Sequence, residues 1–219
     1  IKPILSAAHQ RRRRLFARSE RDRDWTRVIA ADEATFYLCD TPNRRHDLVW
    51  VRKGDPIPPI LKGKAATKWS LFGAIASSGR VALAVFDERF TKETYVEIMA
   101  NELLPGADVA FPNDDWAYLH DRSPQHSSKV AQAWLDAYVP EHFSDSWPGN
   151  SPDLNPMENL WSVLRDRTLL RSPTTKDGLR TAIHAAWRSI DSNYTATRFS
   201  SMPNRLRDVI KAKGGHTKY

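Results

Sequence analysis

The sequence predicts an α/β fold, in which a mixed β-sheet is flanked by helices within one compact domain. Three observations predict it. Short apolar runs typical of strands come first, strand-like and helix-like segments then alternate, and the part after residue 155 has helical patterns alone. Because short polar turns separate the first strands, we expect these strands to be antiparallel. With 219 residues the chain is long enough for one sizeable core.

The first element is polar and helix-like, and we expect residues 1–24 to form a basic arm or linker before the core. Its centre holds four consecutive arginines, Arg11, Arg12, Arg13 and Arg14. From Trp25 the pattern changes. The segment TRVIAADEATFYLCD holds two apolar runs around Asp32-Glu33, which predicts a hairpin with this acidic pair at its turn. Residues from about 41 to 67 are rich in proline, lysine and arginine and indicate an extended insertion.

The middle of the chain alternates between strands and helices. Two strands are predicted in KWSLFGAIAS and VALAVFD, with Ser78-Gly79 between them. A helix should follow the N-cap residue Thr91, with three apolar residues at helical spacing, Tyr95, Met99 and Leu103. The segment WAYLHD indicates a short buried strand that ends at Asp121, and EHFSD a last strand. The helix between them carries Val130, Trp134 and Tyr138 as its apolar residues.

The rest of the chain is predicted to be helical after a proline-rich loop. Two apolar stripes follow helical spacing: Met157, Leu160, Trp161 and Leu164, then Leu179, Ile183, Trp187 and Ile190. We therefore expect a core over residues 25–170 and basic C-terminal helices, residues 171–219, packed on that core.

The net charge of +7 is distributed unevenly along the chain. Residues 1–27 carry +6, residues 28–161 carry −7 and residues 162–219 carry +8. Clustered positive charge is typical of proteins that bind nucleic acid, because each lysine or arginine placed against a phosphate releases condensed counterions. Solvated basic helices would give the same pattern, so charge alone leaves both interpretations open.

Composition excludes several other classes of protein. The single cysteine, Cys39, excludes an internal disulfide and a cysteine-rich zinc site. Apolar runs stay well short of the roughly 20 residues that span a membrane, so we expect a soluble domain without a membrane partner. The chain begins with Ile1 rather than methionine, and we expect it to be a fragment of a longer protein.

Three carboxylates are placed where a site is expected. Asp32 and Asp121 lie where strands are predicted to end, and open α/β sheets place their ligands at the carboxyl ends of strands. Glu158 lies in the first turn of the helix that follows the proline-rich loop. Converging carboxylates without cysteines or clustered histidines suit Mg²⁺, and two such ions can act on a phosphodiester.

Structural interpretations of the same residues remain open from spacing alone. Asn155 as N-cap, Pro156 at the first helical position and Glu158 at the third would form a capping box, in which the glutamate returns a hydrogen bond to the N-cap amide. Asp32 would equally suit a turn, and Asp121 an Asx-type turn.

A family resemblance favours the catalytic interpretation. The segment SWPGNSPDLNPMENLWSVLRDR closely resembles a block of mariner-type transposases, and DWTRVIAADEATFYL and YLHDRSPQHSSKVAQAWL resemble their first-aspartate and second-aspartate segments. The central hairpin and helix, the insertion and the basic linker have similar counterparts in KWSLFGAIASSGRVALAVFDERFTKETYVEIMANELLP, LVWVRKGDPIPP and KPILSAAHQRRRRLFA. The resemblance covers almost the whole chain.

The resemblance implies a ribonuclease H-like fold with a clamp-like insertion and a catalytic, metal-binding triad of Asp32, Asp121 and Glu158. It implies a DNA transposase that cleaves strands at transposon ends and transfers them into target DNA at a TA dinucleotide. Two Mg²⁺ ions, with Mn²⁺ able to substitute, would be the cofactors, and a homodimer on double-stranded DNA the working complex. The protein would be located in the nucleus of a eukaryote, which we favour, or in the cytoplasm and nucleoid of a bacterium.

DNA contacts are expected from cations near this triad. In the resemblance the arginines of the first segment belong to the basic linker, and a second set in the clamp-like insertion comprises Arg44, Arg45, Lys62 and Lys64. Arg122 stands where the family usually has asparagine. We expect it to leave the strand on the face opposite to Asp121 and to contact DNA, with pairing to Asp121 as the alternative.

Two further expectations accompany the triad. His126 matches a family histidine near the site, with a structural role in capping or loop hydrogen bonding favoured over catalysis. Trp147 and Trp161 are expected to be core and loop anchors. A catalytically silent, transposase-derived protein for DNA binding or assembly is the alternative function, and Arg122 is the feature that favours it.

Overall fold

A mixed β-sheet forms the centre of the chain in a computed structural model that describes residues 4–38, 67–113 and 115–219. Five strands lie within these ranges: β1 Val28–Tyr37, β2 Lys68–Ala76, β3 Gly79–Phe86, β4 Ala117–Leu119 and β5 Glu141–His142. Their order in the sheet is β3-β2-β1-β4-β5. The pairs β1/β2 and β2/β3 are antiparallel, whereas β1/β4 and β4/β5 are parallel. The mixed sheet with antiparallel first strands, predicted from the sequence, is confirmed.

Helices cover both faces of this sheet. They are α1 Ala7–Ser19, α2 Lys92–Ile98, α3 Leu104–Ala110, α4 Lys129–Tyr138, α5 Pro156–Leu169, α6 Lys176–Arg188, α7 Ser192–Ser200 and α8 Met202–Lys211. A π-helical turn, Met99–Leu103, joins α2 to α3, and 3₁₀ turns lie at Trp25–Arg27 and Pro152–Leu154. None of the helices in the described ranges is long and apolar enough to cross a membrane.

The alternation of side chains along β1 divides the core into two layers. Val28 and Ala30 pack in the layer formed with α1 and α5–α8, whereas Ile29 and Ala31 pack in the layer formed with α2, α3 and α4. Successive side chains of a strand point to opposite faces, so a strand buried on both sides reads as a nearly continuous apolar run. That run, VIAA, leads directly to the acidic pair.

The hairpin predicted around Asp32-Glu33 is wrong, because β1 continues through both residues without a turn. Asp32 is paired with Gly73 and Glu33 with Phe72 of β2. The two carboxylates leave the strand on opposite faces, and each meets a donor there: Asp32 meets Trp161 and Glu33 meets His126. With these partners the acidic pair is tolerated inside a strand, and no turn is needed.

The N-terminal segment is also different from its prediction. Within residues 4–24, α1 is part of the fold and not an arm: Phe16 and Ala17 are buried in the core, and Phe16 packs edge-on against Trp147 at 5.2 Å. A polar sequence hides this role because the buried face includes Arg13, whose charge is compensated by an ion pair. The predicted insertion falls almost entirely on residues 39–66, which lie outside the described ranges.

Both predicted apolar stripes of the C-terminal helices are buried as expected, and Thr91 caps its helix by accepting from the Thr94 amide. The apolar residues named for α4 are only partly on its buried face. Val130 is 50% and Tyr138 59% exposed, while Ala131 and Leu135 are fully buried and Trp134 is partly buried against the same layer. The buried stripe of this helix is therefore the one that contains Ala131 and Leu135.

Candidate active site

The three predicted carboxylates line a single cleft. Asp32, Asp121 and Glu158 border a cavity of about 480 Å³. The remaining walls come from Arg122 and Ser123, after β4, and from the loop between residues 147 and 155. Strand β1, the end of β4 and the start of α5 therefore each supply one acidic side chain to a common space.

The parallel pairing of β1 with β4 brings the two aspartates together. Ala30 is paired with Leu119, and that is where the parallel pairing ends. Asp32 and Asp121 each lie two residues farther along, so they leave the sheet at the same edge. The prediction that Asp32 lies at the end of its strand is wrong, because β1 continues to Tyr37 in its pairing with β2. The expected principle still holds for the parallel pair, whose carboxyl ends carry the site.

The start of α5 is attached to the strand beside Asp32. Asn155 Nδ2 donates to the Ala31 carbonyl oxygen at 3.1 Å, and Asn155 Oδ1 accepts from the Met157 amide at 3.0 Å, which caps α5. The capping box with Glu158 does not form in this part of the described chain, and Glu158 lines the cleft instead. Asn155 thus links the helix that carries Glu158 to the strand that carries Asp32.

A second link between α5 and β1 is made by an indole. Trp161 Nε1 donates to Asp32 Oδ2 at 2.8 Å. Space for the indole comes from Gly73, the β2 partner of Asp32, since a Cβ at this position would lie 2.8 Å from Trp161 and 2.5 Å from Met157. The sequence predicted Trp161 only as an anchor. Its position three residues after Glu158, on the same side of α5, was the signal that could have suggested more.

Asp121 is held by the loop that follows it. Asp121 Oδ1 accepts from the Ser123 amide at 2.8 Å, which is the Asx-type turn considered from the sequence, and it also lies 2.8 Å from His126 Nδ1. The other ring nitrogen, His126 Nε2, lies 3.1 Å from Glu33 Oε1. His126 is 1% exposed and Glu33 24%, so the imidazole is enclosed between two carboxylates. Glu33 was not predicted as a site residue, and its place directly after Asp32 was the available signal.

Burial and mutual repulsion control protonation in the cleft. Burial, with the neighbouring charges of Glu158 and Glu33, raises the pKa of Asp32 well above its ordinary value, and the Trp161 bond opposes this. Glu158 is exposed at the cleft, but partial desolvation of its carboxyl group, with the charge of Asp121, also raises its pKa. Desolvation is the larger cause of both shifts and the neighbouring carboxylates add to it, so a bound cation would favour the ionised forms of Asp32 and Glu158.

Protonation on the other side of Asp121 follows a different balance. Burial would raise the pKa of Asp121, but its contacts with His126 and Ser123 lower it. Burial would likewise lower the pKa of His126, but Asp121 and Glu33 together raise it to about 10. Two carboxylates therefore hold a positively charged imidazole at neutral pH.

The described residues contain one group of potential metal ligands whose atoms all lie within 4.8 Å of one another, namely Glu33, Asp121 and His126. Asp32 and Glu158 lie outside this group. The two ring nitrogens of His126 point away from each other, one toward each carboxylate, so the ring itself fills the space between them. The cleft side, where Asp32, Asp121 and Glu158 meet, remains open to a cation.

The predicted DNA-binding cations have different surroundings. Arg122 is exposed and lines the same cleft as Asp121, so the expectation that it leaves on the opposite face is wrong. It follows the end of β4, where strand alternation no longer applies. No ion pair or hydrogen bond of its side chain occurs within the described chain. Arg11 and Arg12 are exposed and Arg14 is partly buried. Outside the described ranges lie Arg44, Arg45, Lys62 and Lys64.

Arg13 is a structural residue, and its prediction as a DNA contact is wrong. It is 0% exposed, and its two terminal nitrogens each donate to an oxygen of Asp153 at 2.7 Å, while Nε donates to the Gly214 carbonyl at 2.9 Å. Asp153 also accepts from the Thr217 hydroxyl at 2.8 Å. The aspartate of the proline-rich loop therefore joins α1 and the C-terminal tail to one wall of the cleft, a role that sequence analysis missed.

Comparison with known proteins is consistent with this geometry. A family profile described as DDE superfamily endonuclease matches residues 27–180. The chain is 27% identical to the transposable element Tcb1 transposase of Caenorhabditis briggsae, covering all of this chain and 81% of that protein. It is 26% identical to the transposable element Tc3 transposase of Caenorhabditis elegans, covering 99% of this chain and 65% of that protein.

Solved structures agree in fold. The Mos1 transposase paired-end complex with left transposon end has a TM-score of 0.82 at 17% identity, over 99% of this chain and 65% of that one. The catalytic domain of Mos1 mariner transposase has a TM-score of 0.75 at 16% identity and is covered completely, and this domain was also solved with Mg and with Mn. These likenesses confirm the ribonuclease H-like fold. The chain therefore belongs to the DDE superfamily of endonucleases.

Proposed function

We propose that this domain hydrolyses DNA strands at transposon ends and transfers the resulting 3′ ends into target DNA at a TA dinucleotide. The observation that carries the proposal is the meeting of Asp32, Asp121 and Glu158 in one cleft. All three side chains offer carboxylate oxygens as metal ligands. Asp32 and Glu158 also have pKa values raised by desolvation and by neighbouring negative charge. Such a site fits a hard divalent cation with oxygen ligands.

Mg²⁺ is the proposed cofactor, as two ions, with Mn²⁺ able to substitute. Asp32, Asp121 and Glu158 would hold them. When bound, such ions lower the pKa of the attacking water or hydroxyl and stabilise charge on the phosphate. The protein supplies fixed oxygen positions: Trp161 holds one oxygen of Asp32, the Ser123 amide holds one of Asp121, and Asn155 sets the position of the helix that carries Glu158.

DNA is proposed to lie against exposed and partly exposed cations near the cleft. Arg122 is at the cleft itself, and Arg11, Arg12 and Arg14 lie on α1, whose His9 is 3.5 Å from Asn150 of the cleft wall. Contacts of this kind are made to phosphates and carry little sequence information. Binding should therefore be strongly salt dependent and nearly indifferent to sequence.

The working form is proposed to be a homodimer on double-stranded DNA, acting in the nucleus. The eukaryotic origin of the nematode relatives supports this location. Sedimentation of the chain with and without DNA tests the dimer, and imaging of a tagged full-length protein tests the nucleus.

Nicking of supercoiled DNA tests the activity. We expect nicks with Mg²⁺ or Mn²⁺ and none with a chelator. Asp32→Asn, Asp121→Asn and Glu158→Gln should abolish nicking, whereas Asp166→Asn, at an exposed carboxylate on the same helix as Glu158, should leave it unchanged. DNA binding without any nicking, in the parent as in the variants, would instead favour a catalytically silent DNA-binding or assembly protein.

A further inference from the structure

Asp32 and Glu33, which are consecutive in β1, lie on opposite sides of Asp121. Asp32 leaves the strand toward the cleft, and Glu33 leaves it on the opposite face, in the layer formed with α2, α3 and α4. On that face Glu33 Oε1 lies 3.1 Å from His126 Nε2, and His126 Nδ1 lies 2.8 Å from Asp121 Oδ1. A chain of contacts therefore runs from β1 behind the cleft to the carboxylate of Asp121.

The imidazole in this chain has little freedom to move. Its ring packs 4.4 Å from the Tyr95 ring and 6.0 Å, edge-on, from the Phe90 ring. The backbone is fixed as well, because Gln132 Nε2 donates to the His126 carbonyl at 2.6 Å. Nδ1 is shared between Asp121 Oδ1 and the Asp121 backbone carbonyl oxygen, which lies 3.2 Å away. Carboxylate and carbonyl oxygens accept hydrogen bonds and donate none, so the imidazole donates from both nitrogens.

One oxygen of Asp121 is fully used by these contacts. Oδ1 faces both His126 Nδ1 and the Ser123 amide. Oδ2 makes no hydrogen bond or ion pair within the described ranges, and Asp121 borders the cleft. With Oδ1 occupied by these contacts, Oδ2 is the oxygen that remains available to a cation in the cleft.

We propose that Glu33 and His126 are positioning residues, which hold Asp121 so that its second oxygen faces the cation site. This inference rests on the proposed role of Asp121 as a metal ligand. Residues behind a metal ligand fix its orientation, and their loss commonly lowers metal affinity about 10–100-fold. Glu33 acts through His126, and neither residue needs to touch the ion.

Two amide substitutions at residue 126 separate this role from packing. The Asn side-chain nitrogen can take the place of Nδ1 and keep the donor toward Asp121, whereas the Gln nitrogen can take the place of Nε2 and keep the donor toward Glu33. The full chain carrying His126→Asn should bind Mn²⁺, measured by electron paramagnetic resonance, within about threefold of the parent. His126→Gln should bind it about tenfold more weakly. A purely structural histidine predicts equal effects of the two variants.

Two substitutions of the partly exposed Glu33 provide an independent test. Glu33→Ala removes the acceptor for His126 and should weaken Mn²⁺ binding about tenfold, while Glu33→Gln keeps an acceptor and should bind more tightly than Glu33→Ala. Nicking should need correspondingly more Mn²⁺ for half-maximal rate, with the DNA concentration for half-maximal rate unchanged. This pair keeps the inference testable if the buried residue 126 tolerates neither amide.

Controls distinguish failure of the inference from failure of the proposed function. Asp121→Asn should abolish Mn²⁺ binding, and if it does not, or if the parent binds no Mn²⁺, the proposed metal site itself is wrong. If Asp121→Asn abolishes binding but the two residue-126 variants bind equally and Glu33→Ala binds like the parent, the positioning role is wrong. Binding that needs His126 and Glu33 but neither Asp32 nor Glu158 would place the ion on the histidine and would also overturn it.

Discussion

Trp161 donates a hydrogen bond to Asp32 across 129 residues of sequence, with Nε1 and Oδ2 2.8 Å apart. This bond lies between the strand and the helix that supply two of the three cleft carboxylates. It favours the ionised form of Asp32, against a burial that raises the pKa of that carboxyl. Trp161 thus helps to keep the most deeply buried of these carboxylates charged and in place.

Replacing this tryptophan separates orientation from packing. Trp161→Phe keeps much of the apolar contact and removes the donor, so we expect nicking to fall at least tenfold and Mn²⁺ binding to weaken. The free energy of unfolding should fall by about 1–3 kcal/mol, measured by urea denaturation. Trp187→Phe, at another buried indole of the same core, should lower stability without changing Mn²⁺ binding. Unchanged metal affinity in Trp161→Phe would contradict the role of the bond.

Gly73 tests the space that the indole needs. In Gly73→Ala the new Cβ would lie 2.5 Å from Met157 Cε and 2.8 Å from Trp161 Cη2, and both side chains must shift. We expect a loss of about 1–3 kcal/mol in unfolding free energy and a fall in nicking. Gly149→Ala is the matched control for stability, because a Cβ there meets nothing within 4 Å. Equal stability of the two variants would show that the site relaxes freely.

The buried pair of Arg13 and Asp153 should be important for stability. Asp153→Asn leaves the buried guanidinium without its charged partner, and we expect a loss of about 3–5 kcal/mol. The exposed pair of Arg21 and Asp22, whose side chains are 60% and 82% exposed, is the control, and Asp22→Asn should cost under about 1 kcal/mol. Urea denaturation at pH 7 measures both. A small loss in Asp153→Asn would mean that α1 is held by packing alone.

The same pair predicts a pH dependence of stability. Burial would raise the pKa of Asp153, but the contacts with Arg13 and Thr217 outweigh it, and the pKa is lowered. A carboxyl group with a lowered pKa in the folded state stabilises fully above its ordinary pKa of about 3.9, and this stabilisation is lost as pH falls through the lowered value. Between about pH 5 and about pH 2 the parent should therefore lose more stability than the Asp153→Asn variant. Parallel pH profiles would contradict this.

Arg122 tests where DNA approaches the cleft. Its side chain is exposed at the cleft and forms no ion pair with Asp121 within the described residues, so we expect Arg122→Asn to weaken DNA binding and to lower nicking. Arg89→Asn, at an exposed arginine away from the cleft, should change neither. Higher nicking with unchanged DNA affinity would show instead that Arg122 neutralises Asp121 during the reaction.

Features that depend on neighbours in sequence could be predicted. The cap at Thr91, the turn between β2 and β3 and the stripe that contains Leu160 and Leu164 each follow from a few adjacent residues, and each is present. The succession of strand-like and helix-like segments predicted the mixed sheet as well, whereas the order of its strands was not predicted. The family resemblance then selected three carboxylates that local spacing could not.

Features that depend on distant partners could not be predicted. Asp32 and Glu33 suggested a turn because two adjacent carboxylates seldom sit inside a strand, and the donors that make this tolerable come from Trp161 and His126, 129 and 93 residues away. Arg13 suggested an exposed arm because its partner lies 140 residues away. In each case a long-range contact reverses the local preference for solvent.

Anomalous X-ray scattering from crystals of this chain, grown with Mn²⁺ and a cleaved DNA end, would locate the proposed metal ions. We expect manganese peaks in the cleft, contacted by oxygens of Asp32, Asp121 and Glu158, with Asp121 contributing the oxygen that His126 does not hold. A cleft without manganese, with Glu158 turned back onto the amide of Asn155, would contradict this expectation.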